Sequence, residues 1–89
     1  MAAGVFHGRF TLTGAAQTLD TLTGGTQTYN VISLRRVDGA VVIGNSGVTL
    51  ATGYPLKQDE PLVMEGAIVG ANLNLIGPGL VEFFGNATA

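Results

Sequence analysis

Residues able to do covalent or acid–base chemistry are scarce in this chain. It has one histidine, His7, two serines, Ser33 and Ser46, and no cysteine. A nucleophile needs a base within hydrogen-bond reach and a third group to orient that base, and this inventory offers little to build one from. Gly44-Asn45-Ser46-Gly47-Val48 has the outline of a nucleophile elbow. It lacks the second glycine at the required spacing, and no strand-to-helix context follows. It reads as a turn.

The six acids are scattered at Asp20, Asp38, Asp59, Glu60, Glu65 and Glu82. Asp59 and Glu60 are adjacent, so in extended backbone they point apart and cannot act as a carboxylate pair. A metal centre at His7 would need further histidines or converging carboxylates. Arg35-Arg36 is the only basic cluster, and a strand sends the two arginines to opposite sides, so no basic stripe forms. With a net charge of −2, nucleic acid is not an expected partner. Gly24-Gly25 lacks the lysine and following helix of a phosphate-binding loop. Asn86-Ala87-Thr88 matches the glycosylation triplet, but no secretory signal accompanies it and it reads as coincidence. The inventory describes a protein with no catalytic residue, no metal and no cofactor.

The elements that would position these side chains are strands. Fourteen glycines leave only two long glycine-free windows, residues 26–38 and 54–65. The second holds Pro55 and Pro61, which break helix interiors, and the first is β-branched and aromatic. Residues 5–12 alternate, with Phe6, Gly8, Phe10 and Leu12 on one face and His7, Arg9 and Thr11 on the other. Residues 13–27 are rich in Thr, Gly and Ala, with Leu19 and Leu22 as apolar anchors, and read as a long loop or arm. Asp38-Gly39 is a strong hairpin signal between residues 29–37 and 40–44. Ile32 and Leu34 point inward from one arm, Val41 and Ile43 from the other. Short strands follow at 48–50, 55–57, 62–65, 71–76 and 80–84, the last two joined by Gly77-Pro78-Gly79. The expected class is all-β, a small antiparallel β-sandwich or jelly-roll-like barrel.

Length and composition indicate how such a domain is stabilised. Eighty-nine residues make one β domain, with 1–28 an N-terminal strand plus Thr/Gly-rich loop or arm and 29–84 the core module. A domain of this size has a thin stability margin, and without cysteine it has no disulfide staple. Oligomerisation or docking on a partner is the remaining source of buried surface. Charged residues are only 11% of the chain, against roughly 25% in an average domain, which suits a surface largely covered by neighbours. The mean hydropathy is positive, yet the most apolar stretch, residues 66–85, is interrupted by Asn72, Asn74, Pro78 and Glu82. No membrane span is expected. Without a basic segment ahead of an apolar one at the N-terminus, the chain is expected to be soluble and made in the cytoplasm.

Some strands carry apolar residues on both faces. Val81 and Phe83 share one side of their strand, leaving Leu80 and Phe84 on the other with Glu82. Val63 stands opposite Leu62 and Met64, and Val5 lies on the polar side of the first strand. Such a pattern marks an interface, a second layer or a folded-over loop.

The run Ala40-Val41-Val42-Ile43-Gly44-Asn45-Ser46-Gly47-Val48-Thr49, followed by Thr52-Gly53-Tyr54-Pro55-Leu56, resembles a motif of small virion proteins of tailed bacteriophages. There a hydrophobic strand ends in Ile/Val-Gly, continues as Asn/Gly-Ser-Gly-Val-Thr, and is followed by Gly-Tyr/Phe-Pro-Leu and an acidic or glycine-containing turn. Gln58-Asp59-Glu60-Pro61 stands here where Pro-Gly-Glu is more usual. Asn72-Leu73-Asn74-Leu75-Ile76-Gly77 resembles the matching later strand and Val81-Glu82-Phe83-Phe84 the closing one. The resemblance covers residues 29–84 and not the leading third. It implies a sandwich or jelly-roll-like module, often trimeric, found in head-decoration (cement) proteins and in tails and fibres.

A bare module of this length, with no coiled coil or receptor domain, fits a capsid decoration protein better than a fibre. The expected partners are the major capsid protein and further copies of the chain as a homotrimer, and the expected place is the virion surface. Val5, His7, Arg9, Leu80 and Phe84, with Leu19 and Leu22 of the 13–27 segment, are the candidate contacts. The alternative is a β module of a tail or fibre that recognises the host surface, for which two tyrosines and no tryptophan provide few aromatics.

Overall fold

In β1 (Gly4–Leu12) the alternation predicted from sequence is observed: Phe6, Phe10 and Leu12 turn inward, and Val5, His7, Arg9 and Thr11 turn out. The computed structural model of the chain describes residues 4–87. Within it, β2 (Gln17–Thr18), a short helix α1 (Leu19–Thr23), β3 (Thr28–Gly39), β4 (Val42–Gly44), β5 (Tyr54–Pro55), β6 (Leu62–Val69), β7 (Asn74–Ile76) and β8 (Gly79–Ala87) follow in order. A 3₁₀ turn, Gly70–Asn72, precedes β7.

The strands form two four-stranded antiparallel sheets, ordered β1-β8-β3-β6 and β2-β7-β4-β5. Their inner faces bury Leu12, Tyr29, Ile32, Leu34, Val41, Ile43, Leu75, Val81 and Phe83 as one core, the packing expected of two stacked sheets. Tyr29 lies at its aromatic centre, edge-on to both Phe6 and Phe83. The expected all-β sandwich is therefore observed. The sheets are not closed on each other, so the jelly-roll-like barrel is set aside. No helix among the described residues is long and apolar enough to cross a membrane.

Several expected details differ. Asp38-Gly39 does not close a hairpin. β3 continues through a register shift after Arg36, pairing Asp38 with Leu80 and Gly39 with Gly79 of β8. The chain then crosses to the other sheet at Ala40, whose N–H donates to the Pro78 carbonyl at 2.9 Å. Gly77-Pro78-Gly79, with a cis Gly77–Pro78 bond, makes the reverse crossing from β7 to β8. The two corners lie against each other at Gly39 and Gly79.

Residues 13–27 are not an open loop. Thr18 caps α1 by accepting the Thr21 N–H at 3.1 Å, Gly24 ends the helix in left-handed backbone, and Leu19 enters the core. Residues 48–50 are not a strand either. Val48 donates its N–H to the Asn45 carbonyl, and the 45–53 loop folds back so that Val48 packs on Val42 and Ile76.

Candidate docking face

The antiparallel registers align the outward residues of the β1-β8-β3-β6 sheet in rows. Val5, Asn86, Val31 and Glu65 form one row, and His7, Phe84, Ser33 and Val63 the next. Arg9, Glu82 and Arg35 form a third, and Thr11 stands opposite Leu80. Alternation alone produces this face, because Ile32, Leu34, Val81 and Phe83 point into the core.

The first two rows alternate apolar Val5, Val31, Phe84 and Val63 with polar Asn86, Glu65, His7 and Ser33. Val5 is 58% exposed, Phe84 53% and Val63 54%, and no described segment lies over them. The other sheet behaves differently. Its outward Val42 and Ile76 are buried because the 45–53 loop brings Val48 onto them. Among the described residues, one sheet thus supplies its own cover and the other leaves Val5, Phe84 and Val63 exposed.

The third row is an ion-pair triad. Arg9 Nη2 donates to Glu82 Oε2 and Arg35 Nε to Glu82 Oε1, each at 3.2 Å. Arg35 Nη1 also donates to the Gln58 carbonyl at 2.8 Å, which anchors its guanidinium. The hydrogen bond from Arg35, helped by its charge and by Arg9, holds the Glu82 carboxyl below the usual glutamate range against a smaller opposing effect of desolvation. Two cations thus share one acid beside these two rows. Between the rows lies a shallow depression lined by His7, Gly8, Arg9, Glu82, Phe83 and Phe84.

Of the candidate contacts, Val5, His7, Arg9, Leu80 and Phe84 share this face. Leu19 and Leu22 do not. Leu19 has no exposed surface and Leu22 packs partly buried on the same core, so both belong to the interior. Val31, Ser33 and Arg35 are on the face without having been candidates; the signal for them is the alternation with Ile32 and Leu34 in the same strand.

The face combines exposed Val5, Phe84 and Val63 with the Arg9–Glu82–Arg35 ion pairs. Among the described residues, no three His, Cys, Asp or Glu side chains come together to hold a metal ion. The Tyr29 phenol is pushed up by burial, with the Thr23 side chain acting against it, and it lies inside the sandwich. Thr88 of the Asn86 triplet lies outside the described residues. Compared with protein-family models, with curated proteins and with solved structures, the chain shows no match.

Proposed function

We propose that this chain is a non-enzymatic structural protein of a bacteriophage head, a decoration or cement protein that binds the outer face of the major capsid protein. The observation that carries the docking part is the bare apolar sheet face of Val5, Phe84 and Val63, bordered by the Arg9–Glu82–Arg35 triad. Three half-exposed apolar side chains on one sheet face support a reading of that face as an interaction surface. The likeness of residues 29–84 to small virion proteins supplies the phage part.

The mechanism is mass action. A protein that binds the assembled shell and not its separated subunits stabilises the shell by an amount that grows with its concentration over the dissociation constant. The exposed Val5, Phe84 and Val63 side chains would provide affinity, and the triad would restrict which partner and orientation fit.

The test compares phage particles made with and without the chain. Particles lacking it should assemble and package normally but fail at lower temperature. Adding back the purified chain should restore heat resistance, and Phe84→Glu should not. Unchanged particle stability together with lost adsorption to cells would favour the second reading, a tail or fibre module for host recognition. Tyr54 and Leu50, both about half exposed on the other sheet and its loop, are the surface that reading would use.

A further inference from the structure

The sandwich has four sheet edges, and they are not equally protected. In the β2-β7-β4-β5 sheet the outer strands are two residues each, and β5 contains Pro55. These are too short to template another strand. In the other sheet, β6 has Pro61 immediately before it, carries Glu65, and is interrupted at Gly66, whose φ of 124° departs from strand backbone. Prolines, charges and irregularities are the devices that stop edge-to-edge pairing.

β1 carries fewer of them: its first residue, Gly4, has a φ of 135°, but residues 5–12 run on without interruption. It pairs with β8 over nine consecutive residues without a register shift, and contains no proline, lysine or acid. Its one charge, Arg9, is already matched by Glu82. Its inward Phe6 and Phe10 pack on the core but remain only partly buried, because no described strand lies beyond them.

We propose that β1 is an assembly edge, at which two copies of this chain pair β1 to β1 antiparallel about a two-fold axis at Gly8, joining their sheets into one of eight strands. The occupant is a second copy because the strand is self-complementary about that residue. Phe6-His7-Gly8-Arg9-Phe10 reads aromatic, polar, glycine, polar, aromatic in both directions. With Gly8 opposite its own copy, each Phe6 faces the other copy's Phe10 on the inner side, and each His7 faces the other's Arg9 on the outer side. The Phe10 ring already lies over Gly8, within 3.1 Å of where a β-carbon would stand, so it borders the axis. A self-matching patch closes at two copies, and strand addition of this kind takes its affinity from the backbone.

The proposal does not rest on the capsid reading, since the pairing leaves the Val5, Phe84 and Val63 rows uncovered. It differs from the trimer that the virion resemblance implies. Light scattering and sedimentation equilibrium of the full chain should give the mass of two copies, dissociating on dilution. A single copy at every concentration, or three copies, overturns it.

Two substitutions at the exposed His7 test the register. His7→Glu places an acid opposite the other copy's Arg9 and should lower the dimer dissociation constant. His7→Arg places like charges there and should raise it. Each pair occurs twice per dimer, so a shift of about tenfold in each direction is expected. Shifts of the same sign, or none, overturn the register. Amide exchange on the unmodified chain supplies a check independent of any variant: protection in β1 should rise with protein concentration, and constant protection overturns the edge.

Discussion

Arg35 and Glu82 are partners across the β3–β8 ladder, and their side chains meet on the outer face with Arg35 Nε donating to Glu82 Oε1 at 3.2 Å. The Arg35 guanidinium is the better-anchored member of the triad, because it also donates to Gln58, whereas Arg9, with a more exposed side chain, is bound among the described residues at Glu82. The triad therefore joins three strands of the face, β1, β8 and β3, at one row.

A pH dependence follows from the lowered Glu82 pKa. The group is more acidic when folded than when unfolded, so its contribution to stability is complete above the ordinary glutamate range, about 4.3. That contribution is lost as the pH falls through the lower folded value. Urea unfolding of the native chain and of Glu82→Gln should differ most at neutral pH, with the native chain more stable, and converge in acid. A difference that stays constant down to strongly acidic pH would show that Glu82 is not held by the arginines.

The inter-sheet corner at Gly39 supports a second prediction. Its φ of 69° is left-handed, and a β-carbon there would lie 2.7 Å from the Pro78 carbonyl oxygen. Gly39→Ala should cost roughly 1–3 kcal/mol from the backbone conformation alone, lowering the melting temperature by about 5–20 °C. Gly14→Ala, at a position with open space around it, serves as the control and should change the melting temperature little.

These two sites also show how far the amino-acid pattern reaches. Gly39 does take a positive φ, because that conformation is a local property of the glycine, although the hairpin expected at Asp38-Gly39 is not formed. Whether the turn closes a hairpin or carries the chain to another sheet depends on Asp38 pairing with Leu80, and no short window contains that pairing. The same distance hid Arg35: its acid, Glu82, lies 47 residues away, and only the β3–β8 register brings them together. Val5, His7 and Arg9 were legible because a period of two over β1 assigns faces without knowledge of the neighbours. Leu19 was misread for a different reason. α1 has five residues, too few for a helical period to stand out, although a capping threonine at Thr18, leucines three apart and glycine at Gly24 are the marks of a one-turn helix.

The status of the 13–27 segment is itself testable. An arm that orders only on docking would let Leu19→Ala leave the free chain's stability unchanged. With Leu19 fully buried, the substitution should instead destabilise the free chain by about 2–5 kcal/mol. Thr18→Ala, which removes the cap on the Thr21 N–H, should cost about 1 kcal/mol. Both are read from urea midpoints of the chain alone, and unchanged midpoints would return the segment to the status of an arm.

The proposed docking face makes the most direct prediction, because its central aromatic, Phe84, is half exposed. Phe84 points away from the core and is 53% exposed, so Phe84→Ser should change folding stability by only about 0.5 kcal/mol. If Phe84 is a buried anchor in the complex, the same change should cost about 2 kcal/mol of binding, a loss of about thirtyfold in affinity for capsid shells. Tyr54→Ser, at a comparably exposed aromatic on the other sheet, should leave shell affinity unchanged. The opposite pattern, with Tyr54 sensitive and Phe84 tolerant, would move the contact surface to the β2-β7-β4-β5 sheet. Co-sedimentation of each variant with purified shells measures both, and equal melting temperatures of the two variants would assign the difference to binding rather than to folding.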